Sequence, residues 1–201
     1  MKDLNLVVAL TMIALVAGCG TTNASDAGVS DFSSDTKILA FLESKTMIMQ
    51  GNDIPNSPNG YNENVFYGSL TQCYNKVTIK TLSGNFGVTS ELGTLQRPDG
   101  GTVGTCDRTT VSNEATFTST TLAITNVANN GACFDILANY GSFAQEGRGK
   151  ISSDGTTVTL ELYFQNQSAN SNCAAGPVGS AGVTVLTKPF SGNAQQVYRV
   201  Q

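Results

Sequence analysis

The chain has 201 residues, 15 acidic and 11 basic side chains for a net charge of −4, and neither histidine nor tryptophan. That length suits a single domain with a sizeable core, and the sparse charge, without a basic stripe, speaks against a nucleic-acid partner. Without histidine a Ser-His-Asp arrangement is excluded, and the usual general base near neutral pH is missing.

At the N-terminus, Lys2 precedes an apolar run over residues 4–16. This is the pattern of a secretory signal, and the run is too short to span a bilayer. Leu15-Val16-Ala17-Gly18-Cys19 resembles the lipobox of bacterial lipoproteins, with Val16 where Leu is commoner. The resemblance implies that small Ala17 and Gly18 admit a peptidase and that the Cys19 sulfur takes a diacylglyceryl group. Residues 1–18 are then a signal peptide, and Cys19 is the lipidated first residue of the mature chain. Each buried acyl CH₂ contributes about 0.8 kcal/mol, so two or three chains make a lasting anchor and the membrane becomes the first expected partner. Gly20 after the cysteine, rather than Asp, favours the outer membrane under the same resemblance. Periplasmic and cell-surface orientations both stay open.

Residues 19–35 are rich in Ser, Asp, Thr and Gly and read as a flexible tether. Residues 36–43 carry Ile38, Leu39 and Leu42 on one side behind a capping Ser34 or Asp35, which predicts a short helix. From there to residue 201 the chain reads as one β domain. Strands are expected at 45–50, 65–70, 73–82, 86–92, 116–119, 122–127, 133–140, 149–152, 156–164, 183–187 and 196–200, mostly in up-and-down order. The clearest is 156–164, where Val158, Leu160, Leu162 and Phe164 alternate with Thr157, Thr159, Glu161 and Tyr163. Tight turns are marked by Ser83-Gly84-Asn85, Asn130-Gly131 and Asp154-Gly155. The expected fold is all-β, an antiparallel meander with a short N-terminal helix, closed as a barrel or packed as a β-sandwich. In outline it resembles lipocalin-like barrels, without their Gly-x-Trp signature. Asn62-Glu63-Asn64-Val65, Thr71-Gln72-Cys73-Tyr74 and residues 192–198 are similar to segments of envelope lipoproteins of Deltaproteobacteria such as the myxobacteria.

With Cys19 lipidated, Cys73, Cys106, Cys133 and Cys173 remain for an exported, oxidising setting, so two disulfides are expected. Three pairings are open; sequential closure, Cys73 with Cys106 and Cys133 with Cys173, suits a meander. Each would stabilise by about 3 to 4 kcal/mol in the loop-entropy model. No close cysteine pair and no histidine offers a metal site, and no cofactor signature occurs.

Candidate chemistry is thin. Ser34-Asp35-Thr36-Lys37 matches Ser-x-x-Lys without companion motifs. Gly147-Arg148-Gly149-Lys150 lacks the earlier glycine of a phosphate loop and reads as a solvated strand start. Glu146 and Glu161 could meet as a carboxylate pair, although the alternation places Glu161 on an exposed polar face. Asp135, sharing parity with Cys133 and Leu137, is expected to point inward, with Asp107-Arg108 as a bracing partner. No catalytic residue is assigned, and the chain reads as non-enzymatic. Two functions follow: first, a structural or interaction module of the envelope with a protein partner; second, a carrier whose cavity is lined by Phe134, Ile136, Val158, Leu160, Leu162 and Phe164 and holds a small apolar ligand or lipid. The lipobox makes one direct prediction: labelled palmitate is incorporated by the unaltered protein and lost in Cys19→Ala, whereas undiminished labelling of the variant removes the anchor.

Overall fold

In a computed structural model, the structure describes residues 30–50, 61–62, 73–96, 103–111, 113–190 and 194–201. Cys19, most of the tether and the strand expected at 65–70 lie outside the described residues. The expected helix is α1, Asp35–Leu42. Ser34 caps it, its hydroxyl accepting the Lys37 backbone N–H at 3.3 Å, and Ile38 and Leu42 are buried. The Ser-x-x-Lys match is therefore a helix start, in which the serine oxygen satisfies one of the orphan amides of the first turn.

The strands are β1 (Thr46–Gln50), β2 (Tyr61–Asn62), β3 (Tyr74–Leu82), β4 (Asn85–Leu92), β5 (Thr94–Gln96), β6 (Val103–Asp107), β7 (Asn113–Thr118) and β8 (Thr121–Ala128). They continue with β9 (Cys133–Asn139), β10 (Ala144–Ile151), β11 (Thr157–Phe164), β12 (Ser168–Ala169), β13 (Thr184–Val185), β14 (Lys188–Pro189) and β15 (Gln195–Val200). Nine of them form one antiparallel sheet in the order β7-β4-β3-β1-β15-β11-β10-β9-β8, curled strongly into a half-barrel. The sheet is two meanders joined where the first and last strands meet, Met47 opposite Val200. Its two edge strands, β7 and β8, are consecutive in the chain. Their link is tied to both flanks: the Ser119 N–H donates to the Phe86 carbonyl and the Thr120 N–H to that of Asn139. The expected single strand over 183–187 is split into β13 and β14 by a turn at Leu186-Thr187, both with positive φ.

The tether was expected to run to Asp35, and the fold takes up the chain earlier. Phe32 is 1 % exposed and belongs to the core. Its N–H donates to the Asn130 side chain at 2.7 Å, and Asn130 in turn donates to the Ser30 carbonyl at 3.1 Å. A single large apolar residue in an otherwise polar segment was enough to dock it. The turn at Asn129–Gly131 makes the room, since Gly131 has φ +80° and a Cβ there would lie 2.7 Å from Phe32 Cβ.

Alternation along the strands decides what lies inside the curl. Val77 and Ile79 of β3, Phe86 of β4, Phe134, Ile136 and Ala138 of β9, and Val158, Leu160 and Leu162 of β11 are buried there with Ile38 and Leu42 of the helix. On β10 the inward positions are Gly147 and Gly149, paired with Ile136 and Phe134. A Cβ on Gly149 would lie 2.5 Å from the Phe134 ring, and one on Gly147 would lie 2.0 Å from the Glu161 carbonyl oxygen. The two glycines of Gly-Arg-Gly-Lys thus leave room for the Phe134 ring and the β11 backbone. Overpacking of this kind costs about 1–3 kcal/mol. Gly149→Ala is accordingly expected to lower the stability measured by urea unfolding by that amount, with Phe134→Leu in the same chain restoring part of it.

Candidate functional site

A cavity of about 310 Å³ opens inside the curl. Its aliphatic wall is Val77, Ile79, Val88 and Leu162, inward-facing on β3, β4 and β11. Phe117, Phe143 and Phe164 form an aromatic side, continued by Tyr140. Tyr140 stacks on Phe143 with ring centres 4.7 Å apart, and Phe143 meets Phe117 and Phe164 edge-on at 5.4 and 5.9 Å. Such edge and offset contacts are the favoured arrangements of aromatic quadrupoles. The polar groups of the lining are the phenols of Tyr74, Tyr140 and Tyr198, with Ser90, Gln145 and Gln196. All are uncharged. The Tyr198 hydroxyl donates to Gln196 Oε1 at 2.7 Å.

Six residues were expected to line a cavity, and the structure divides them. Leu162 and Phe164 do so, at the hollow end. Phe134, Ile136, Val158 and Leu160 instead fill the core, Phe134 wholly buried against Gly149. Sequence reading missed Tyr74, Tyr140 and Tyr198, the groups that give the cavity its polar character. Parity along β15 was the available signal, since Tyr198 lies opposite inward-facing Val158.

The outer face of β10 and β11 corrects three further expectations. Arg148 is 0 % exposed and Glu161 4 %, not solvated. The guanidinium grips the carboxylate through Nε at 3.0 Å and Nη2 at 3.1 Å. It also donates to the carbonyls of Gly176 at 2.7 Å and Ser180 at 3.2 Å. Glu161 accepts from the Tyr163 hydroxyl at 2.6 Å and the Gly179 N–H at 2.8 Å. A buried charge pair is tolerable only when its remaining donors and acceptors are met in this way. Glu161 does lie on the outward face that the alternation gives it, but the segment between β12 and β13 covers that face. Asp135 also faces outward, opposite Arg148, because Phe134, Ile136 and Ala138 take the inward parity. Its carboxylate accepts from Asn126 Nδ2 and the Cys173 N–H, both at 2.7 Å, and Arg108 Nε donates instead to the Tyr74 carbonyl at 3.1 Å. Glu146 accepts the Asn166 N–H at 2.8 Å, so the two glutamates serve separate structural contacts.

The disulfides are Cys73–Cys106, fastening β6 to the start of β3, and Cys133–Cys173, fastening the covering segment to β9. A second, more open hollow of about 520 Å³ lies on the outer face beside Asp135, Glu146 and Asn172. The inner cavity is the less open of the two and has mostly apolar walls with several uncharged polar groups, the usual make-up of a small-molecule site. Comparison of the chain with protein-family models, with curated proteins and with solved structures finds no match.

Burial pushes the Tyr74 and Tyr140 phenols from 10.0 up to about 12. Tyr198 is raised well above its ordinary value by burial, with Tyr74 and Tyr140 adding to the effect; Tyr163 is raised by burial and by its bond to Glu161. The unfolded chain loses these protons near 10, while the folded chain keeps them. Stability is therefore full below pH 10 and falls as the pH rises towards 12. Phenolate absorbance and circular dichroism followed together are expected to show these four tyrosines ionising only with loss of the fold, whereas in denaturant all six tyrosines of the chain titrate near 10.

Proposed function

We propose that this chain is a lipid-anchored protein of the outer membrane that carries a small, largely apolar molecule in its half-barrel, without catalysing a reaction on it. One observation carries the reading: a cavity of about 310 Å³ lined by inward-facing aliphatic and aromatic side chains together with uncharged polar groups. This supports the carrier over the structural or interaction module that the sequence put first. Among the described residues the lining supplies aliphatic, aromatic and uncharged polar side chains and no nucleophile next to a base, which supports binding rather than catalysis. Acylation of Cys19 would keep the cavity close to a bilayer, where apolar molecules concentrate.

Native mass spectrometry of the full lipidated chain released from detergent is the test. A reproducible small-molecule adduct is expected on the unaltered protein and is expected to be absent from Leu162→Trp, which fills the cavity. Adducts of equal abundance on both would overturn the proposal.

A further inference from the structure

Building on the carrier reading, three observations restrict what the cavity holds. Its volume of about 310 Å³ is roughly twice the ~150 Å³ void that accommodates a benzene, so the space suits about two fused rings. The rings of Tyr140, Phe143, Phe117 and Phe164, packed on one another by stacked and edge-on contacts, line one side of it, and an aromatic body can add to that cluster in the same arrangements. Among the described residues no charged side chain lines it, and an ionised ligand would lose its water against these groups without gaining a partner from them.

A further observation concerns donors. Among the described residues, the Tyr198 hydroxyl is spent on Gln196, while those of Tyr74 and Tyr140 have no hydrogen-bond partner. The sealed, unpartnered side-chain oxygens among the described residues are Thr81 Oγ1 and Gln167 Oε1, so both phenols open onto accessible space. An apolar occupant that covered them would leave two donors desolvated and unmet, and one with an acceptor would satisfy them. We infer that the ligand is an uncharged, planar molecule of about two fused rings bearing a carbonyl-type acceptor, a ketone, quinone or ester, that takes hydrogen bonds from Tyr74 and Tyr140. Burial keeps both phenols protonated, and hence donating, throughout the neutral range.

The test uses the full lipidated chain in detergent, labelled with ¹³C-tyrosine and followed by NMR. The probes are 2-acetylnaphthalene, its carbonyl-free counterpart 2-ethylnaphthalene, and charged 2-naphthoate, with affinities referred to free aqueous probe. The ketone is expected to shift the Tyr74 and Tyr140 signals and to bind about tenfold more tightly than the hydrocarbon, with no saturable shift from naphthoate. In Tyr74→Phe/Tyr140→Phe the ketone falls to the hydrocarbon's affinity and the hydrocarbon is unchanged. The comparison between ketone and hydrocarbon needs only the unaltered chain, so it stands even where that variant fails to fold. Equal binding of ketone and hydrocarbon would overturn the acceptor requirement while leaving the carrier reading intact. Naphthoate binding as tightly as the ketone would overturn the requirement for an uncharged ligand. Binding of none of the three would overturn the carrier reading and this inference with it.

Discussion

A curled sheet can place only every second side chain of a strand inside, and the volume available there is fixed by the curl. The rest of the structure follows from how this chain spends those inward positions. On the side of the helix they are large and meet Ile38, Leu42 and Phe32, and they are crowded enough that β10 must offer Gly149 against Phe134. On the other side Val77, Val88, Ser90 and Gln145, together with the rings of the aromatic cluster, leave a space of about 310 Å³ unfilled. A solid end and a hollow end arise from one alternating pattern.

The outer face is constrained differently. Arg148 and Glu161, side by side across β10 and β11, are buried without either being left with unmet hydrogen-bonding groups, because the covering segment supplies the Gly176 and Ser180 carbonyls and the Gly179 N–H. A pair of this kind adds little net stability against an apolar replacement, but removing one member leaves an unmatched buried charge. It acts with Cys133–Cys173 to hold the covering segment in one position. β11 is thereby buried on both faces, which gives the inner wall of the cavity a rigid backing.

The helix, its serine cap, the turns at Ser83-Gly84 and Asp154-Gly155, and the alternating strand over 157–164 were legible in the sequence, since each is set by neighbouring residues. So was the pairing of cysteines that sequential closure suits. Three features depend on distant segments and were not legible. Phe32 looked like an isolated residue in a polar stretch until the Asn130 turn 98 residues away received it. Glu161 looked exposed because alternation says which face a residue takes and nothing about what covers that face. Asp135 looked inward because parity was counted from Cys133, whose partner lies outside the sheet. The cavity was legible only in part: Leu162 and Phe164, two of the six expected residues, were on the expected wall, but whether a wall meets its opposite depends on summed side-chain volume, which periodicity does not carry.

The central claim is that the interior is packed at one end and hollow at the other. Thermal and urea unfolding of Val88→Phe and Ile136→Phe tests it most directly, because each adds a ring to one end. At Ile136 the ring is expected to cost about 1–3 kcal/mol by overpacking, and at Val88 it is expected to be neutral or stabilising because it enters empty space. Equal destabilisation by both would mean that the interior is filled throughout, and would contradict the account.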